Sequence, residues 1–243
     1  VGQQVVWVSV SPGLRGIDRP LCRAVQPWVE RLWRWDYEQT LDEGADLAGA
    51  VSLLIGYLQT LEEPVHLLGH GLSGVVAGLA AQGCPEQVRS LALLGVSPQG
   101  VTWHSHYYVQ RRLLMGSRNQ VLLRLSRSLF GDPHPFCWRS LVEGLADDLD
   151  RSPCPYSLWH LAGEVASLTQ VPVPVFIGGS WDDPVVDPTQ WQKVPLKAGD
   201  QVWLAPRGRH FFHVNQAVPL ARQMAAFWSA VLLKPAGDYL LTG

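Results

Sequence analysis

Charge is scarce in this sequence. Only 16% of its 243 residues are charged, and 19 Lys and Arg against 21 Asp and Glu leave a formal net charge of −2. No basic block that would neutralise nucleic-acid phosphates is present, nor any acidic tail, so nucleic acid is not an expected partner. The four cysteines, Cys22, Cys84, Cys137 and Cys154, include no C-x-x-C pair. That spacing argues against a zinc site and against a compact disulfide framework, and leaves buried free thiols as the expectation. Long apolar spans are missing too. Two charge-free stretches, 65–85 and 90–110, are interrupted by His66, His70, Ser73, five glycines and Pro85 in the first and by Pro98, His104 and His106 in the second. Each reads as buried elements broken by turns, not as a membrane span of about 20 apolar residues. No basic region precedes an apolar stretch at the start, so no secretory leader is expected. A cytoplasmic protein follows, with contact to a membrane surface left open.

What the chain does have is apolar material: 47% of its residues are hydrophobic, among them 11 tryptophans scattered from Trp7 to Trp228. A chain of this length buries roughly 70–75% of its unfolded surface around one core, so a single domain over 1–243 is expected. Most of the tryptophans should be core or pocket wall.

Short apolar runs alternate with helical patterns, the signature of a mostly parallel sheet flanked by helices, hence an α/β fold. Strands are expected at Val5–Val10, Arg31–Tyr37, Pro64–Gly69, Val88–Val96, Val171–Gly179 and Gln201–Ala205. Helices are expected over Arg19–Val29, from Asp42-Glu43 through Leu61 with Leu47, Val51, Leu54 and Leu58 on one face, over Ser73–Gln82, near Asp187–Gln192 and over Val214–Leu233. Residues 101–170 break the alternation with helical spacing and read as a helical insertion, a lid. The tail Lys234–Gly243 reads as loosely attached.

The third strand reverses into its helix through Gly69-His70-Gly71-Leu72-Ser73-Gly74. Such a turn strains the backbone of the tip residue and demands small neighbours so that strand and helix pack closely. With the flanking His66-Leu67-Leu68 and Val75-Val76-Ala77, this stretch resembles the α/β-hydrolase fold superfamily, whose common form here is G-H-S-x-G-G. Pro85–Leu91 resembles the family's next helix–strand connection. Gly179-Ser180-Trp181-Asp182-Asp183-Pro184 is similar to its acid loop, and Gly208-Arg209-His210-Phe211-Phe212-His213 to its histidine loop. The resemblance spans nearly the whole chain in the order nucleophile, acid, histidine. Residues 106–111, 182–188 and 208–213 most resemble a small branch from photosynthetic lineages.

The resemblance implies roles by position. Gly71 stands where the family places its serine, and glycine has no side chain with which to attack a carbonyl, so the acyl-enzyme route is closed at that atom. Ser73 is the nearest hydroxyl, but it lies two residues into the helix and should point along its flank. Ser9 and Val10 occupy the place of the family's His-Gly pair, which leaves the backbone N–H groups of Val10 and Leu72 as an oxyanion hole. His210 aligns with the general base. The acid is either Asp183, which fits the D-P-x-V-x-P pattern, or Asp182, which fits the offset from Gly179. His213, three residues beyond His210, finds no third ligand of suitable spacing, so neither a metal nor another cofactor is expected.

Ser9, His70, Trp103, Tyr107, Tyr108, Trp181 and Phe211 are the expected lining of a pocket, and aromatic walls suit a small apolar ligand. Arg111, Arg112, Arg118, Arg124 and Arg127 accumulate with no acid among them. They form either a solvated face or a patch for an acidic protein or an anionic membrane surface. Three functions remain: a non-catalytic member of the fold that binds a ligand or partner, a hydrolase of small hydrophobic esters or amides, and a structural subunit of a larger assembly. The hydrolase needs either an engineered loss of serine at position 71, or Ser73 or water as its nucleophile.

Overall fold

The computed structural model describes residues 3–40, 42, 46–131, 136–154 and 167–233. Six strands, β1 (Gln4–Ser9), β2 (Arg31–Asp36), β3 (Val65–His70), β4 (Val88–Leu94), β5 (Val175–Ser180) and β6 (Gln201–Ala205), form one sheet in the order β2-β1-β3-β4-β5-β6. Every neighbouring pair is parallel. Parallel sheets have helices on both faces, so their inner strands must be apolar throughout. β1, β3 and β4 are buried almost end to end, while β2 and β6 at the edges are largely half-exposed.

Successive side chains on a strand point to opposite faces. Val6, Val8, Leu67, Leu91, Leu93 and Ile177 therefore meet α2 (Leu47–Gln59) and α3 (Leu72–Gly83) on one side. Val5, Trp7, Leu68, Ala92, Leu94 and Phe176 meet α1 (Arg19–Val25) and the C-terminal helix on the other. The expected stripe on α2 holds: Leu54 and Leu58 are buried, and Leu47 and Val51 pack partly against the same core.

Boundaries move for local reasons. Pro27 has no N–H to continue α1, which ends at Val25 and passes into a short 3-10 turn over Gln26–Trp28. β5 begins at Val175, not Val171, because Pro172 and Pro174 cannot donate to a ladder. β4 stops at Leu94 because Gly95 takes φ 57°. Asp46, whose carboxylate accepts from the Gly49 amide at 2.8 Å, caps α2 four residues later than Asp42. The last helix is two pieces, α7 (Phe212–Asn215) and α8 (Ala217–Leu233), preceding helices being α4–α6 below. Lys234–Gly243 lies outside the described residues, as does Glu43. The expectation of buried thiols holds for Cys84 alone; Cys22 and Cys154 are half-buried and Cys137 is exposed, all of them free.

Between β4 and β5 run α4 (Trp103–Leu113), α5 (Arg118–Phe130) and α6 (Trp138–Arg151). Thr102 and Ser117 open α4 and α5 with capping boxes. Trp103, Leu122, Leu125, Leu141 and Leu145 form a third apolar cluster with Leu14 and Ile17 after β1 and with Phe211 and Val214 near α7. The contact is close because Gly144 of α6 lies on the turn at Gly13: a Cβ on Gly144 would sit 2.6 Å from the Gly13 carbonyl oxygen. Gly144→Ala is therefore expected to force α6 outward and to lower unfolding stability by about 2 kcal/mol. An unchanged urea midpoint would show that the contact relaxes at no cost.

Candidate active site

β1 and β3 are adjacent, yet the chain leaves them toward opposite faces, and ligands in open α/β sheets bind beyond the strand ends at such a point. The turn after β3 is there. Gly71 holds φ 54°, ψ −124°, a backbone that side-chain-bearing residues rarely adopt, and its N–H donates to the Leu94 carbonyl at 2.8 Å. Gly69 admits the reversal, since a Cβ there would lie 2.6 Å from the Ser73 carbonyl carbon. A Cβ built on Gly71 meets nothing closer than the His210 Nε2, at 3.9 Å.

That imidazole is completely buried, and its Nδ1 lies 3.0 Å from Asp183 Oδ2. Its Nε2 is buried without a hydrogen-bond partner. Asp183 is itself held by the amides of Val185 and Val186 through Oδ1, at 2.8 and 3.1 Å. Of the two neighbouring acids it is therefore Asp183 that faces the imidazole. Asp182 does something else: its Oδ1 accepts from the Ser180 hydroxyl at 2.6 Å and from the amides of Gly208 and Arg209 at 2.9 and 2.8 Å. Burial opposes its charge, but the Ser180 hydroxyl and these amides hold its carboxyl below the usual range. The bonds brace a histidine loop in which Arg209 takes φ 58°, a conformation costing roughly 1–2 kcal/mol for a side-chain-bearing residue.

Behind the elbow the His70 ring lies 4.8 Å from Phe211, 4.5 Å from His213 and 4.8 Å from His210, centroid to centroid. Burial, together with the two neighbouring imidazoles, pushes its pKa well below the ordinary value. His70 is thus neutral, and its Nε2–H donates to the His210 carbonyl at 2.9 Å. His213 Nε2 lies 3.3 Å from Asp18, which also approaches Arg34 at 3.4 Å. Burial and His210 likewise hold His106 of α4 below the ordinary imidazole value.

The oxyanion position departs from expectation. The Val10 N–H does not face an open site; it donates to the Ser73 Oγ at 3.0 Å, in a buried bond joining residues 63 apart. Ser73 thus points toward β1 and not toward His210. Its hydroxyl fills the place of a substrate oxygen at that donor. The remaining space is a cavity of ≈ 20 Å³ lined by Trp7, Ser9, Ser11, His70, Gly71, Trp103 and Phe211, among others. That volume holds about one water. Ser9, which accepts from Arg34 at 2.9 Å, Leu72 and Ser73 belong to this cavity as expected. Tyr107, Tyr108 and Trp181 do not line it: Tyr107 is buried in the cluster of α4–α6, and Tyr108 and Trp181 are exposed. No group of three His, Cys, Asp or Glu suited to a metal occurs among the described residues.

No protein-family model matches the chain. It is 37% identical over 235 residues, 95% of its length, to the uncharacterized protein alr2406 of Nostoc sp., of which it covers 92%. To the uncharacterized protein sll0249 of Synechocystis sp. it is 36% identical over 93% of its length and 90% of that protein's. The chain belongs to their family. Its fold is that of the α/β-hydrolases. The solved carboxylesterase CesB of Bacillus subtilis superposes with a TM-score of 0.68 over 94% of this chain and 84% of that one, at 14% identity.

Some site residues were not foreseen in the sequence. Trp7, Ser11, Leu14 and Asp18 reach the cavity from β1 and the segment after it, which carries no motif. A second polar cluster, under the insertion, joins His104 Nε2 to Asp148 Oδ2 and to the Ser152 Oγ, each at 3.0 Å. A signal for it existed: Leu141, Leu145, Asp148 and Leu149 share one helical face, so Asp148 was bound to be buried and to need a partner.

Proposed function

We propose that this chain is a non-catalytic protein with the hydrolase fold, which works by binding and not by acyl transfer. One observation carries the reading: the elbow is formed, the imidazole and carboxylate stand ready beneath it, and position 71 supplies no atom to attack with. Two features agree. The Val10 amide is occupied by Ser73, and the cavity above Gly71 has no room for an ester. That small volume favours a protein or surface partner over a small apolar ligand, with α4–α6 as the cap of the former site.

A second reading has a specific observation in its favour. The unpartnered His210 Nε2 faces a space the size of a water, which is the arrangement of a general base acting on water directly. Loss of a serine nucleophile leaves only ~10³–10⁴-fold acceleration over the uncatalysed reaction, so such an enzyme is slow. Hydrolysis of p-nitrophenyl acetate and butyrate separates the two. The proposal expects rates equal to buffer for the native protein and for His210→Ala alike. Turnover abolished by His210→Ala establishes the water mechanism instead.

A further inference from the structure

The turn that joins α4 to α5 has a surface which the fold does not use. Val109 and Leu113 lie four residues apart, so they stack on one face of α4, away from its buried Trp103, His104 and Tyr107. They are 47% and 72% exposed, and Met115, at the turn itself, is 101% exposed, touching nothing. Arg111 and Arg112 flank them, both exposed, and Arg111 Nη1 donates to the Gly116 carbonyl at 3.0 Å, which stiffens the turn. Arg124 is exposed on α5. Among the described residues Arg111, Arg112 and Arg124 have no carboxylate partner. Arg118 is not part of this set, being paired with Asp150 at 2.7 Å, and the Arg127 guanidinium lies over Trp138 at 5.9 Å. Residues 111–127 contain no acid at all.

We propose that this turn docks on an anionic lipid bilayer, Leu113 and Met115 entering between headgroups while Arg111, Arg112 and Arg124 meet their phosphates and carboxylates. The chemistry selects the occupant. A side chain as exposed as Met115 stands out from the molecule, which suits insertion into a soft interface; a rigid protein partner needs a broad patch of about 800 Å² per side. Unpaired guanidiniums beside apolar side chains are what binding to acidic lipid requires. No helix among the described residues is long and apolar enough to cross a membrane, so the contact is peripheral. The proposal is independent of the elbow and stands or falls apart from it.

Co-sedimentation tests it. The intact chain is mixed with phosphatidylcholine vesicles with and without about 30% phosphatidylserine, at about 50 and 300 mM salt. Binding to the anionic vesicles alone, weakened by salt, is expected. Arg111→Gln/Arg112→Gln should weaken it roughly 25-fold, at about fivefold per charge. Leu113→Ser/Met115→Ser should weaken it roughly tenfold. All four positions are exposed, so near-ultraviolet dichroism and the unfolding midpoint should not change, which separates lost docking from lost folding. No sedimentation of the native protein with anionic vesicles overturns the proposal, as does a native level of binding by either double variant. Salt-sensitive binding to polyglutamate without any to vesicles also overturns it and assigns the arginines to an acidic protein.

Discussion

Esterase activity should appear in Gly71→Ser/Ser73→Gly where the native protein has none. The first substitution supplies the missing atom. A Cβ at position 71 stands 3.9 Å from the His210 Nε2 with no other atom as near, so a serine Oγ turned toward that nitrogen comes within the roughly 2.6–3.2 Å of a nucleophile–base pair. The backbone at φ 54° costs a side-chain-bearing residue about 1–2 kcal/mol, a cost the tight packing of the elbow can sustain. The second substitution frees the Val10 amide and enlarges the cavity. With Leu72 it then completes two donors at the substrate oxygen, one donor being worth about 10²–10³ in rate. Gly71→Ser alone should therefore acylate at least ~10²-fold more slowly than the double variant. Burst kinetics with p-nitrophenyl acetate, and mass-spectrometric detection of a fluorophosphonate adduct at residue 71, measure both. If neither variant acylates while its circular dichroism stays native, the imidazole and elbow are not in working geometry and the catalytic ancestry read from them is wrong.

Stability should peak near pH 6.5 and fall on both sides. On the acid side stand two neutral imidazoles. Burial, aided by Arg89, pushes His66 down to about 3, with its Nδ1 2.7 Å from the Ser90 Oγ; burial and its imidazole neighbours push His70 well below the ordinary value. Below about pH 6.5 the unfolded chain takes up these protons and the folded chain does not, so stability is lost as pH falls toward 3. Each such group contributes a slope of about 1.4 kcal/mol per pH unit, near 2.7 for the two together. On the alkaline side stands His104. Burial opposes its charge, but Cys154 and Asp148 outweigh it and raise its pKa to about 10. Here the folded state holds the proton and the unfolded state releases it, so this stability is complete below 6.5 and lost as pH rises toward 10. Urea unfolding at intervals from pH 4 to pH 10 checks the shape. His66→Gln should flatten the acid limb alone, and a curve without an acid limb would mean that these rings are hydrated in the folded state.

The order of elements was legible because their physics is local. Apolar runs punctuated by proline and glycine announced the strands, the three-to-four residue stripe announced α2, and Gly69 and Gly71 announced the elbow, since a turn that tight leaves few choices. The candidate dyad was half legible. His210 and an acid were expected on their loops, yet Asp182 and Asp183 are adjacent and chemically identical, and only the packing of the two loops directs one carboxylate at the imidazole and the other at the amides of Gly208 and Arg209. The Val10–Ser73 bond, the water-sized cavity and the His104–Asp148 pair were not legible in the same way. They join residues separated by 63 positions in the first case and 44 in the last.

The sequence by itself determined the alternation of strand and helix and the want of a hydroxyl at position 71, because periodicity and side-chain identity belong to the chain. Which acid meets the histidine, whether the amide after β1 is open, and which arginines keep their charge exposed were decided by tertiary structure alone. Each depends on distances between distant segments, which exist only once the sheet has brought them together.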